Sequence, residues 1–244
     1  MLSKKEVKDI QSLRDKKFRD EAKLFIAEGP KLVSELLNAI PHQVVKLYAL
    51  QDWVITNQNL ISGTDCHIIS DADLDKISQL QTPHHVVAVV RQFDSVAPEN
   101  SGMCIYLDVI QDPGNFGTII RIADWFGIKH IVCSEGCADL YNAKVVQSTM
   151  GSIARVNVFY DEGLSWLKVQ TAAKFAAVLD GASIYQTRFP ETGIIIIGNE
   201  SKGVQPSILE LDVKKVSIPK IGQAESLNAA VASGIILSHC FKDY

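Results

Sequence analysis

Two hydrophobic patterns take turns along the chain, a helical period and short uninterrupted apolar runs. Residues 25–27 form such a run, Gly29 and Pro30 punctuate it, and Leu32, Val33, Leu36 and Leu37 then recur at helical spacing over 31–39. Residues 44–50, 67–69 and 86–91 predict strands, while 71–80 predicts a helix opened by an Asp cap. The period is lost between Gln92 and Gly102, where Asp94, Pro98, Glu99, Asn100, Ser101 and Gly102 gather. That is linker composition, and it puts a domain boundary at 97/98.

Past the linker the alternation is more regular. Strands are predicted at 104–109, 131–133, 154–159, 174–179, 194–197 and 213–218, and helices at 116–126, 142–149, 163–172 and 226–239. Strands separated by helices of this length imply a largely parallel sheet covered on both faces. The expected class is α/β: a small domain over 1–97, then a Rossmann-like parallel-sheet domain over 98–244. A length of 244 residues is enough for each to bury its own core.

Composition narrows the function classes. Apolar residues make up 47% and charged residues 21%, the balance of a globular protein. The longest apolar runs, such as 194–197, are strand-length, and the N-terminus opens with Lys4, Lys5, Glu6 and Lys8 instead of a signal peptide. A cytoplasmic protein without a membrane span is expected. The five cysteines (Cys66, Cys104, Cys133, Cys137, Cys240) are scattered and odd in number, so they read as reduced thiols. Cys133 and Cys137 lack a second pair at zinc spacing, and His84 and His85 follow Pro83 into a strand, so no metal is expected. The net charge of −4 gives no global sign of nucleic-acid affinity. Within residues 1–31, however, Lys4, Lys5, Lys8, Arg14, Lys16, Lys17, Arg19, Lys23 and Lys31 outnumber the acids, giving a basic arm that is either a solvated helix face or an RNA contact.

Open parallel sheets bind ligands at the carboxyl ends of their strands, and three of the loops leaving those ends are unusual. The first, Asp112-Pro113-Gly114-Asn115-Phe116-Gly117-Thr118-Ile119-Ile120-Arg121, enters a helix with Asn115 as a suitable N-cap and Phe116, Ile119, Ile120 and Ala123 as its buried stripe. Arg121 falls off that stripe near Asp124 and could simply pair with it. The second, Gly198-Asn199-Glu200-Ser201-Lys202-Gly203, follows a fully apolar strand, and its glycine lets a backbone come close. The third runs from Ile218-Pro219 through Ile221, Gly222, Ser226, Leu227 and Asn228 into a helix rich in small residues, whose first turn offers unpaired N–H groups; Ser226 could equally be a plain N-cap. Neither a P-loop nor G-x-G-x-x-G is present, which disfavours a conventional nucleotide site.

Taken in series, Asn115-x-Gly117-x-x-x-Arg121, Gly198-Asn199-Glu200-x-x-Gly203 and Ile218-Pro219 through Ser226-Leu227-Asn228 closely resemble the SpoU (TrmH-like) family of RNA 2′-O-ribose methyltransferases, in the SPOUT superfamily. Residues 17–33 are similar to the small substrate-binding domain, with a fold like ribosomal protein L30e, that precedes the catalytic domain in many members. The resemblance implies an L30e-like RNA-binding domain over 1–97 and a catalytic domain over 98–244 with a deep trefoil knot. It also implies an obligate homodimer and S-adenosylmethionine as cofactor, with RNA, ribosomal more than transfer, as substrate. By the same resemblance Leu179, Gly198, Asn199, Glu200, Ile218, Ile221, Gly222, Ser226 and Leu227 form the cofactor cradle. Arg121, Asn115, Glu200, Ser226 and Asn228 take the catalytic positions, Arg121 either activating the ribose hydroxyl or clamping the adjacent phosphate. Ala229 and Ala230 depart from many members, which carry a polar residue there. The rival readings are a tRNA 2′-O-methyltransferase, a base methyltransferase of the same fold, whose motifs differ, and a non-catalytic RNA-binding or ribosome-assembly protein.

Overall fold

A computed structural model describes residues 1–99 and 102–242; the linker residues Asn100 and Ser101 lie outside the described residues. In chain order the first elements are α1 (Lys4–Ser12), α2 (Lys16–Ala22), β1 (Leu24–Glu28), α3 (Pro30–Ala39), β2 (Val44–Ala49), α4 (Gln51–Thr56), β3 (Cys66–Ile68), α5 (Asp71–Ile77) and β4 (Val86–Arg91). They are followed by β5 (Met103–Asp108), α6 (Pro113–Trp125), β6 (His130–Ser134), α7 (Ala143–Thr149), β7 (Asn157–Asp161) and α8 (Ser165–Val169). The chain continues with β8 (Lys174–Ser183), β9 (Gly193–Gly198), α9 (Pro206–Leu209), β10 (Lys214–Ser217) and α10 (Ala229–Cys240). Two compact units result: residues 1–94 with 139–154, and residues 95–138 with 155–244.

In the first unit a four-stranded sheet runs in the order β1-β4-β2-β3, with β4 antiparallel to both neighbours and β2 parallel to β3. The basic arm is two short helices. α1 opens with a capping box in which Ser3 Oγ accepts the Glu6 N–H and the Glu6 carboxylate accepts the Ser3 N–H. Pro30 is the first residue of α3, where its missing N–H leaves no bond unmade. The expected Asp cap of α5 is instead Ser70, whose Oγ accepts the Asp73 N–H at 3.2 Å; Asp71 is already helical. The segment 139–154, with α7, joins this unit although the linker lies upstream of it. Its anchors are specific: the Tyr141 ring lies 4.9 Å from that of Phe25, and Asp139 pairs at 2.6 Å with the buried Arg19 guanidinium.

The second unit is built on a six-stranded parallel sheet in the order β10-β8-β9-β5-β6-β7. Residues Ile194, Ile195, Ile196 and Ile197 of β9 are buried on both faces, as a central parallel strand requires. β7 begins at Asn157, three residues after the predicted start, because 152–154 forms a 3-10 turn. β8 is longer than predicted and breaks register with β10: Lys215 faces Ala176 while the next residue, Val216, faces Ala182. Residues 177–181 bulge out between them, and Gly181 is obligatory there, since a Cβ would lie 2.6 Å from the Val216 backbone. Among the described residues no helix is long and apolar enough to cross a membrane.

Candidate active site

β10, β8, β9 and β5 are successive neighbours, so the loops leaving their carboxyl ends open side by side. Two caps depart from the sequence reading. α6 is capped by Asp112, whose Oδ1 accepts the Asn115 N–H at 2.7 Å, so Asn115 is the third helical residue and not the cap. Pro113 explains this, because it favours the first helical position and fixes the cap one residue earlier. α10 starts at Ala229 and is capped by Asn228, whose Oδ1 accepts the N–H groups of Ala230 and Val231 at 3.0 and 3.2 Å. Ser226 is therefore not a cap and precedes the helix. The predicted buried stripe of α6 is as expected: Phe116, Ile119, Ile120 and Ala123 are inaccessible.

Freed from capping, Asn115 joins the three loops. Asn228 Nδ2 donates to Asn115 Oδ1 at 2.8 Å, and Asn115 Nδ2 donates to Glu200 Oε1 at 2.6 Å. One amide thus fixes the orientation of a second amide and of a carboxylate, and the bond to Glu200 is charge-assisted.

Beneath this line the second loop is held rigidly. Asn199 Nδ2 donates to the Val109 carbonyl at 2.9 Å, its Oδ1 accepts from the Ser201 and Lys202 N–H groups at 3.0 and 3.2 Å, and its backbone pairs in both directions with Gly203. Its side-chain oxygen and one hydrogen of its amide are engaged within the protein, so the side chain braces the turn. Gly198 serves the same turn: a Cβ there would lie 2.6 Å from the Gly203 carbonyl oxygen and closer still to the carbonyl carbon and the Val204 nitrogen. The close approach read from this glycine is made by the chain itself. Asp108, fully buried at the end of β5, accepts the Gln205 N–H at 2.6 Å, the Gln205 side-chain amide at 2.5 Å and the Ser134 hydroxyl at 3.1 Å. These three residues escaped the sequence reading; the available signal was an acid closing an otherwise apolar strand.

The third loop has the opposite character. Every residue from Pro219 to Asn228 is exposed, and among the described residues 219–227 make no backbone or side-chain hydrogen bond. Its apolar side chains point to solvent, Ile221 fully and Leu227 at 45% exposure, and Leu179 on the bulge of β8 is 78% exposed. Ile218, Gly222 and Ser226 lie on this same segment. Unengaged main-chain donors and acceptors beside exposed apolar side chains fit a flat, uncharged heterocycle with a polar edge.

Arg121 is not brought to these residues. It lies six positions beyond Asn115, about 9 Å along the helix axis, exposed and without an ion-pair or hydrogen-bond partner among the described residues. The pairing with Asp124 does not occur; Asp124 Oδ2 is 2.9 Å from Arg155 Nε. Between α6 and α10 runs an apolar groove lined by Thr118, Ile122, Val231, Gly234 and Ile235, with Asn115 and Asn228 at its rim. The five thiols are free; Cys137 Sγ donates to the Leu107 carbonyl and accepts the Ile110 N–H, the neighbouring Cys133 lowers the Cys137 thiol, and burial pushes Cys133 up. No cluster of three or more metal-ligating side chains occurs among the described residues.

Residues 102–238 match the model of the SpoU rRNA Methylase family, and residues 4–88 match the MRM3-like substrate binding domain. The chain is 33% identical over 242 residues to RlmP of Bacillus subtilis (strain 168), a 23S rRNA (guanosine(2553)-2′-O)-methyltransferase, covering 96% of this chain and 94% of the relative. Among solved structures, a protein from Porphyromonas gingivalis assigned to the TrmH family of RNA methyltransferases superposes with a TM-score of 0.87 at 32% identity, covering 100% of both chains. An AdoMet-bound rRNA methyltransferase from Sinorhizobium meliloti superposes with a TM-score of 0.84 at 28% identity, covering 100% of this chain and 96% of that one.

Proposed function

This chain belongs to the SpoU rRNA methylase family, and from that premise we propose that it methylates a ribose 2′-hydroxyl of ribosomal RNA, with S-adenosylmethionine as methyl donor. The observation that carries the reading is the line Asn228–Asn115–Glu200, which ties together three loops at the ligand-binding end of a parallel sheet. A protein that only bound RNA would have no need of it.

The residues that would hold the donor are Leu179, Ile218, Ile221, Gly222, Ser226 and Leu227, with apolar side chains for the faces of its base and free main-chain groups for the edges. When bound, the donor supplies an electrophilic methyl group. Gly198 and Asn199 keep the second loop rigid, so that Glu200 is presented at a fixed angle. Arg121 clamps the phosphate beside the target ribose: a guanidinium is a poor base but a good bidentate phosphate ligand. Because attack on a methyl group demands in-line approach, holding the ribose in place supplies much of the rate.

Three further elements belong to this reading. Residues 1–97 supply RNA affinity through the lysines of α1 and α2, which face solvent. The enzyme works as a cytoplasmic homodimer closed over the α6–α10 groove, whose small and apolar lining and the exposed Val231 and Trp125 favour burial by a second copy. Arg121, remote from its own loops, then serves the partner's pocket. The C-terminal chain forms the family's trefoil knot. Incubating purified protein with labelled S-adenosylmethionine and either ribosomal or transfer RNA tests the assignment. Label in ribosomal RNA ribose is expected; label in bases, or in transfer RNA alone, would overturn it.

A further inference from the structure

We propose that Asp124 and Arg155 form a positioning pair that keeps the Arg121 guanidinium free for the RNA phosphate, an inference that rests on the reading of Arg121 above. Side chains three and four apart face one another on a helix, so the neighbours of Arg121 one turn away on α6 are Gly117, Thr118, Asp124 and Trp125. Thr118 donates its hydroxyl to the Gly114 carbonyl at 2.7 Å. Asp124 is thus the one acid Arg121 can reach on its own helix turn, at a spacing where Arg–Asp pairs readily form. The structure diverts it. Asp124, only 21% exposed, takes Arg155 Nε at 2.9 Å, and Arg155 comes from a different part of the fold, two residues ahead of β7. A half-buried carboxylate needs a countercharge, and here it receives one that is not Arg121.

Removing Arg155 reverses the arrangement. Asp124 then loses the countercharge that Arg155 supplies and draws Arg121 back along the helix. Neither consequence changes any residue that touches substrate, so the pair acts through Arg121.

A double-mutant cycle tests this, read as single-turnover methylation of ribosomal RNA at saturating S-adenosylmethionine and subsaturating RNA, with thermal midpoints recorded alongside. Arg155→Gln is expected to slow transfer about fivefold, the factor set by an exposed ion pair of about 1 kcal/mol. Asp124→Asn should stay within about twofold of the parent, and so should Asp124→Asn/Arg155→Gln, because without the carboxylate nothing captures Arg121. Arg155→Lys, which keeps the countercharge, should keep the rate. An unchanged rate in Arg155→Gln, or a double variant as slow as Arg155→Gln, would show that the pair does not guard Arg121. A fully active Arg121→Ala protein would instead overturn the underlying reading of Arg121, and this proposal with it; an inactive one alongside an unrescued double variant overturns this proposal alone.

Discussion

Asn228 does two jobs with two different atoms, so two substitutions separate them. Its Oδ1 caps α10, and its Nδ2 orients Asn115, which in turn holds Glu200. Asn228→Ala removes both: about 1 kcal/mol for the cap and about 0.5–1 kcal/mol for the hydrogen bond. At about 2–4 °C per kcal/mol for a chain of this size, the thermal midpoint should fall by about 3–8 °C. Asn228→Asp keeps the cap, since Asp is as good an N-cap as Asn and its charge favours the positive end of the helix. It loses the donor, however, and turns a second carboxylate toward Asn115, whose single amide cannot aim its nitrogen at both the new carboxylate and Glu200. Stability should stay within about 1 kcal/mol of the parent, because Asn115 exchanges one charge-assisted bond for another, while Glu200 loses the bond of about 1.5–3 kcal/mol that orients it. Turnover should drop by at least about tenfold. Thermal unfolding and single-turnover methylation on the same preparations decide the matter. If Asn228→Asp turns over normally, the hydrogen-bonded line is not part of the site; if it unfolds as early as Asn228→Ala, the capping role is wrong.

Arg121→Ala should cut turnover by about a hundredfold while leaving stability unchanged, because the side chain is exposed and has no partner among the described residues, and Arg121→Lys should retain RNA binding better than rate since a point charge loses the planar fork; equal rates in the parent and both variants would refute the clamp. Gly198→Ala should destabilise the second unit by about 1–3 kcal/mol or more through the clash with Gly203 and Val204, and a calorimetric scan showing no shift would contradict the packing. Replacing Lys4, Lys5 and Lys8 with Gln should weaken RNA binding and flatten its log–log salt dependence by about 0.7–0.9 per lost phosphate contact, whereas an unchanged slope would make α1 a solvated face. Sedimentation at micromolar concentration should show a dimer, and Val231→Glu in the α6–α10 groove should produce monomer; a parent protein that is monomeric throughout would remove the shared site.

Much of this was legible in the residues because one physical pattern specified it. The run Ile194–Ile197 could only be a doubly buried strand, and the alternation around it implied the parallel sheet and hence the end at which the site lies. The caps were less legible. Asn115 and Asp112 are both good N-caps, and Pro113 decides between them only once the helix is known to start there. Asn199 and Gly198 looked like ligand groups because a turn that grips its own backbone wants the same residues as a turn that grips a ligand. Long-range partners left no local trace: nothing near Asp124 in sequence announces Arg155, and nothing near Tyr141 announces Phe25, so the return of 139–154 to the first unit could not be read. The β8 bulge was hidden for a related reason, since residues 177–181 break register only with respect to β10, a strand far away in sequence.

The central claim is chemical: the methyl group goes to a ribose oxygen of ribosomal RNA. Its most direct test is to hydrolyse ribosomal RNA with alkali from a strain lacking the gene and from its parent, and to map the alkali-resistant linkages that 2′-O-methylation leaves. The account predicts one such linkage present in the parent, absent in the deletion strain, and restored by the parent gene but not by the Arg121→Ala gene. Identical linkage maps in the two strains, or a difference confined to methylated bases, would contradict it.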